Sequence, residues 1–150
     1  MIESIVVCGA GTMGSGIAQA AAQNGFPTTL YDLNKNVLDN TRLSVQKNLQ
    51  LLVDKTKLTE ARMKEISGRI IYTDKIDHCR ADLIIEAIIE KPEAKKELFL
   101  KLAELNTPAT LLASNTSSLS ITAIAADIPH PERVFGLHFF NPAPVMKLVE

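Results

Sequence analysis

The sequence predicts an α/β domain built on a doubly wound, mostly parallel sheet, and three features of its 150 residues point there. Short apolar runs alternate with segments of helical period along the whole chain, the order that lays helices over both faces of a parallel sheet. Two of the runs, "RIIYT" (69–73) and "ADLIIEAII" (81–89), are nearly continuous in apolar residues, as strands buried on both faces are. The first strand meets the first helix through a glycine-rich turn, "GAGTMG".

Each element has its own signal. "SIVVC" (4–8) is a β-branched strand, Met13 to Asn24 a small-residue helix, and "PTTLYD" (27–32) a second strand. From Asn34 to about Val53 the residues Leu38, Val45, Leu49 and Leu52 return on one helical face, and a second short helix is expected over 59–66. Residues 33–68 exceed what a crossover needs, so about 34–67 is expected to form a protruding helical arm. After the strands at 69–73 and 81–89, Pro92 suits the first turn of a helix running to Leu105. A fifth strand (109–114), a helix (120–128) and a sixth strand (133–139) complete the pattern. No repeat, low-complexity tract or linker interrupts it.

The length fits one domain on a prior of roughly 100–200 residues. With 46% apolar residues the chain can fill a core, and it lacks the run of about 18 apolar residues that crosses a bilayer. Sixteen basic against seventeen acidic residues leave a net charge of −1, so neither nucleic acid nor an anionic membrane is an expected partner. The start, "MIESIVVCGAG", enters a strand without a secretory leader. Cys8 and Cys79 have neither metal-ligand nor disulfide spacing. Both are expected to be buried packing groups in a cytoplasmic protein.

In "GAGTMG" the residues Gly9, Gly11 and Gly14 stand as G-x-G-x-x-G, a spacing that permits a tight turn, close approach to a pyrophosphate and tight helix–strand packing. The N–H groups of Thr12 and Met13 at the helix start would face the phosphates. Asp32 closes the second strand eighteen residues past Gly14, placed to accept hydrogen bonds from ribose hydroxyls and to repel a 2′-phosphate. This is a Rossmann-type signature for NAD. The plainer alternatives are a glycine turn without ligand and an aspartate capping the next helix, a role Asn34 could take instead.

More polar residues fall at the carboxyl ends of the later strands, where open α/β sheets bind ligands. Asn115, Thr116, Ser117 and Ser118 are read as a helix-capping turn or as hydroxyls for a substrate oxygen. Glu86 and Glu90 end the fourth strand; taken by itself, Glu90 is structural. His138 ends the sixth, either a core histidine or a proton-transfer group. His78 and His130 lie in polar loops and are expected to be solvated.

"GAGTMGSGIAQ", Asp32, "EAIIE", "ASNTSSLSI" and "GLHFFNPAPVMKLVE" together resemble the 3-hydroxyacyl-CoA dehydrogenase family, most closely its bacterial 3-hydroxybutyryl-CoA members, from end to end of the chain. The resemblance implies His138 as general base, Glu150 as the carboxylate orienting it and Ser117 as the hydroxyl on the reacting oxygen. It further implies Glu90, Lys95, Ser117 and Asn141 around the cofactor, with Asn48 and Lys55 near the CoA moiety; the family also uses serine at the first of these two positions. The family's helical second domain, with a further active-site asparagine and much of a homodimer interface, has no counterpart in the 150 residues. The expectation is thus a truncated NAD-binding domain that binds NAD but turns over little 3-hydroxyacyl-CoA, with Glu150 loosely held at the chain end. Rival readings are a non-catalytic NAD-binding protein, like the lens lambda-crystallin that resembles this family, and a 6-phosphogluconate or hydroxyisobutyrate type of dehydrogenase. The latter uses a helical lysine as base, where this chain has "HFFNP".

Overall fold

A computed structural model describes residues 1–150. Six strands, β1 (Ile5–Cys8), β2 (Thr28–Tyr31), β3 (Ile70–Thr73), β4 (Leu83–Glu86), β5 (Leu111–Ser114) and β6 (Val134–Gly136), form one parallel sheet in the order β3-β2-β1-β4-β5-β6. The order reverses between β1 and β4, so the crossovers cover opposite faces and leave a crevice at their carboxyl ends. Register sets what meets there: Cys8 at the end of β1 lies opposite Tyr31 of β2 and Glu86 of β4.

Period two along each strand supplies two cores. Ile5, Val7, Leu30 and Ile85 pack on one face beneath α1 (Thr12–Gln23), α2 (Lys35–Asp54) and α3 (Glu60–Gly68). Val6, Cys8, Ile84 and Leu112 pack on the other beneath α4 (Pro92–Leu105) and α5 (Ile121–Ala125). This is why the strands read as continuous apolar runs. Cys8 and Cys79 are both buried in the second core, as expected. No helix is long and apolar enough to cross a membrane.

The helical arm expected over 34–67 is the α2–α3 pair. Asn34 caps α2 by accepting from the N–H of Asn36 at 3.0 Å, and Thr59 caps α3 by accepting from Arg62 at 3.2 Å. Leu38, Val45 and Leu49 of α2 and Ile66 of α3 are buried in the first core, which roots the arm in the body.

Three elements are shorter than their sequence patterns. β4 stops at Glu86 rather than running to 89, because the Glu86 carboxylate itself captures the Ile88 N–H at 2.8 Å. β6 stops at Gly136 rather than 139, because Asn115 Oδ1 takes the Phe139 N–H at 2.8 Å in place of a ladder carbonyl. α5 ends at Ala125, where the Ile128 N–H turns back to the Ala125 carbonyl.

At the turn after β1, a Cβ on Gly14 would stand 1.7 Å from the Gly9 carbonyl oxygen, whereas one on Gly11 would meet nothing within 4 Å. Gly14→Ala is therefore expected to lower stability by about 2 kcal/mol or more through backbone overpacking. Gly11→Ala should stay within about 1 kcal/mol of the unmodified chain. Urea unfolding of the two variants side by side checks the contrast.

Candidate cofactor and active site

Gly9 adopts φ +102°, a left-handed conformation, and a Cβ there would lie 2.5 Å from the Ala87 carbonyl oxygen. The turn is thereby pressed against the start of the β4–α4 connection. α1 begins at Thr12 behind Gly11, whose missing side chain leaves the first helical N–H groups uncapped and open to an anion. Asp32 braces this loop: its Oδ2 accepts from the Ala10 N–H at 2.8 Å and its Oδ1 from the Asn34 N–H at 2.9 Å. The capping of α2 falls to Asn34, so the helix-cap reading of Asp32 is not needed. A carboxylate oxygen has two acceptor positions, and each of these uses one, leaving capacity for a ribose diol.

Asp32, Gly9 and Gly11 line a cleft of about 600 Å³ whose walls are mostly apolar, including Leu33, Val37, Ile88 and Ile89. Lys101 on its wall is engaged by Glu97 at 2.7 Å. A cleft with an acid at the sugar position and apolar walls for a base suits an adenosine without a 2′-phosphate.

On the other side of Ala87 and Ile88 lies a cavity of about 360 Å³. It brings together Met13, Glu90, Lys95, Ser117, His138 and Asn141, six of the residues singled out from the sequence. Its base is a buried charge network. Glu86 is 0% and Lys95 1% exposed, with Glu86 Oε1 2.5 Å from Lys95 Nζ. Glu86 Oε2 accepts from the Ser114 hydroxyl at 2.5 Å, and Lys95 Nζ also reaches Glu90 Oε2 at 3.3 Å. Glu90 in turn accepts from the Thr116 hydroxyl. Glu90 is thus structural and cavity-lining at once. Glu86 was not among the expected site residues, although the signal was present: it is the one charge inside the run "LIIEAII", and a buried charge requires a partner.

The Asn-Thr-Ser-Ser cluster divides its labour. Thr116 Oγ1 accepts from the Leu119 N–H at 3.0 Å and Asn115 holds Phe139, so these two brace the turn, while the capping of α5 falls to Ser120, which accepts from the Ala123 N–H at 3.2 Å. Ser117 is exposed on the cavity and free of both tasks.

His138 faces Glu150, with Nδ1 3.4 Å from Oε2. The backbone of Glu150 is paired rather than frayed, although its side chain stays exposed. The His138 N–H donates to the Glu150 carbonyl at 2.8 Å, the Glu150 N–H returns to the His138 carbonyl at 3.0 Å, and Phe139 pairs antiparallel with Val149. The Phe140 ring lies 4.9 Å from the imidazole. With Nδ1 turned to the carboxylate, Nε2 is the nitrogen left for the cavity. His130 is exposed as expected; His78 is exposed as well but bonded to the Thr73 hydroxyl at 3.0 Å.

A third opening, a groove of about 610 Å³, runs between α1, α2 and residues 141–145. Asn48 and Lys55 line it with Thr12, and Asn141 borders both this groove and the His138 cavity.

A parallel sheet with a glycine loop at its switch point, an acid closing β2 and an uncapped helix start defines a dinucleotide-binding domain of the dehydrogenase class. The loop fits NAD, since a side chain at Gly9 or Gly14 would strike the backbone that shapes it. The chain belongs to the 3-hydroxyacyl-CoA dehydrogenase family, whose NAD binding domain matches residues 4–150. It is 50% identical over 150 residues to 3-hydroxyadipyl-CoA dehydrogenase of Escherichia coli K12, covering 99% of this chain and 32% of that protein. It is 47% identical to a probable 3-hydroxybutyryl-CoA dehydrogenase of Bacillus subtilis, covering 99% of this chain and 52% of that protein. A crystal structure of a 3-hydroxybutyryl-CoA dehydrogenase from E. coli K12 superposes with a TM-score of 0.97 at 49% identity, over 99% of this chain and 32% of the other. The chain therefore spans between a third and a half of the length of these relatives.

Removing one partner of the buried pair strands the other. Lys95→Met is expected to cost about 3–5 kcal/mol by leaving the Glu86 carboxylate without its cation. Adding Glu86→Gln should recover part of that loss, as a double-mutant cycle in urea unfolding will record.

Proposed function

We propose that this chain is the NAD-binding and base-bearing domain of a dehydrogenase that interconverts short-chain 3-hydroxyacyl-CoA and 3-ketoacyl-CoA. The observation that carries the reading is the placement of His138: Nδ1 faces the Glu150 carboxylate, and the ring borders the same cavity as the Ser117 hydroxyl. When bound, NAD supplies the hydride acceptor in oxidation and, reduced, the donor in the reverse direction. The α1 N–H groups of Thr12 and Met13 hold its pyrophosphate and Asp32 its ribose hydroxyls. Glu90, Lys95 and Asn141, which line the His138 cavity, would border the cofactor's reactive end.

In oxidation Ser117 donates a hydrogen bond to the substrate oxygen, and His138 Nε2 takes the 3-hydroxyl proton as the carbon loses hydride. Glu150 accepts the Nδ1–H, fixes the tautomer and stabilises the imidazolium as it forms. Asn48 and Lys55 face the CoA portion, Lys55 as a point charge for phosphate. In this reading the 150 residues alone bind NAD with little turnover, because the Glu150 oxygen stands 3.4 Å from the imidazole. A looser base–carboxylate pair loses attack geometry, at a cost on the order of 10²-fold for small misplacements. The relatives' greater length and the family's helical domain fit a homodimer for a longer form.

Two outcomes test this reading. NAD should bind much more tightly than NADP in calorimetric titration, and Asp32→Ala should narrow the gap; equal affinities in the unmodified chain would remove Asp32 from the sugar site. In a form carrying a helical second domain, His138→Gln should lower kcat for acetoacetyl-CoA reduction by ~10²-fold or more, with NAD affinity unchanged. NADH absorbance follows the rate, and near-normal turnover would make His138 a packing residue.

A further inference from the structure

Gln19 is a polar side chain whose burial the cofactor chemistry leaves unexplained. It lies in α1, is 3% exposed and lines the groove between α1 and α2. Its amide forms no hydrogen bond within the protein. The one buried side-chain polar atom that is sealed and unpartnered is Arg133 Nε, so both amide atoms of Gln19 keep access to open space, and that opening is the groove. Its neighbours differ. The Thr41 hydroxyl is committed to the Ala10 carbonyl at 2.7 Å and the Ser15 hydroxyl to the Thr12 carbonyl at 3.0 Å. Asn48 and Lys55 are exposed and hydrated from bulk. A nearly buried amide without a protein partner, which meets the outside only through this groove, is hydrogen-bonded by whatever fills the groove.

The groove limits what that is. One end opens at Asn141, which also borders the His138 cavity, and the other reaches the cation of Lys55. Thr41 to Lys55 spans about 20 Å of α2 at ~1.5 Å per residue. On the α1 side, residues 143 and 144 approach so closely at Gly16 that a Cβ there would lie 3.3 Å from Ala143 and Pro144. The passage suits an extended flexible chain with its reactive end at His138, an anion at its far end and a group between them that both donates and accepts. A secondary amide is such a group, and a primary carboxamide pairs with it through both of its atoms.

Resting on the acyl-CoA reading above, we propose that Gln19 recognises an amide of the phosphopantetheine arm and is a specificity residue for that arm rather than for the nucleotide of CoA. The arm is shared by CoA and by acyl carriers that lack the nucleotide, and the probes separate the two. In the NAD-saturated chain, acetoacetyl-CoA and acetoacetyl-pantetheine should both shift the side-chain ¹⁵N–H₂ resonances of Gln19, whereas adenosine 3′,5′-bisphosphate should not. Gln19→Leu should weaken both thioesters by a similar factor of roughly ten, the effect of one lost hydrogen bond with its partner left unpaired, and leave NAD affinity unchanged. Should Gln19→Leu fold poorly, the resonance shifts in the unmodified chain still decide. Binding of the thioesters with silent Gln19 resonances or unchanged affinity in the variant overturns the role of Gln19 and leaves the acyl-CoA reading standing. Shifts caused equally by the bisphosphate assign the groove to the nucleotide and also overturn it. Absence of any thioester binding overturns both.

Discussion

The Glu86 carboxylate, fully buried at the end of β4, is the point on which the carboxyl edge of the sheet is hung. It binds the ammonium of α4 through Lys95, the hydroxyl of β5 through Ser114 and the backbone of its own turn through Ile88. Lys95 extends the network to Glu90, and Glu90 to Thr116. Burying a carboxylate and an ammonium is rarely the most stabilising use of core positions. What it gives is definition, because every bond has one geometry that satisfies it and the strand must end where the carboxylate turns back. The Ala87 N–H then meets the Cys8 carbonyl, and the Ala87 carbonyl leaves no room for a side chain at Gly9. The glycine turn is shaped from beneath by the same few atoms.

Around that turn the three openings share their borders. Gly11 lines both the adenosine cleft and the groove, Ala87 and Ile88 line the cleft and the His138 cavity, and Asn141 lines the cavity and the groove. In the proposed reading, a dinucleotide extended from Asp32 across the loop would end in the His138 cavity, and a thioester lying along α2 would end in the same place. The convergence follows from topology. β1 and β4 part at the switch point, α1 rises from one and the Glu90–Lys95 turn from the other, and the segment after β6 folds over the gap.

Much of this was legible in the sequence. The strand–turn–helix order, the glycine spacing and Asp32 located the cleft, because each is a local pattern with a backbone cause. The family likeness implied His138, Ser117 and Glu150, and the structure puts the first two on one cavity with the third against the imidazole. What stayed hidden depends on partners distant in sequence. Glu86 read as the end of a strand because nothing local shows that Lys95 and Ser114 converge on it. Gln19 was not singled out within the small-residue helix, since helical period cannot say whether a polar position faces water or another helix. The overrun of β4 and β6 has the same origin: Glu86 and Asn115 take backbone N–H groups that an apolar run would assign to the ladder.

The two halves of the site are held with different firmness. Lys95 is 1% and Glu86 0% exposed, in a network in which each side chain has at least one charged or hydroxyl partner. His138 is 29% and Glu150 65% exposed at the side chain, and they meet at 3.4 Å. Backbone pairing between the two residues fixes where the chain passes but leaves the carboxylate free to swing. An orienting carboxylate acts by holding one tautomer in one direction, which requires its own remaining acceptor positions to be tied or shielded from water. Here they are neither. The Glu86–Lys95 pair beneath the glycine turn is thus held inside the core, whereas the His138–Glu150 pair lies nearer the surface.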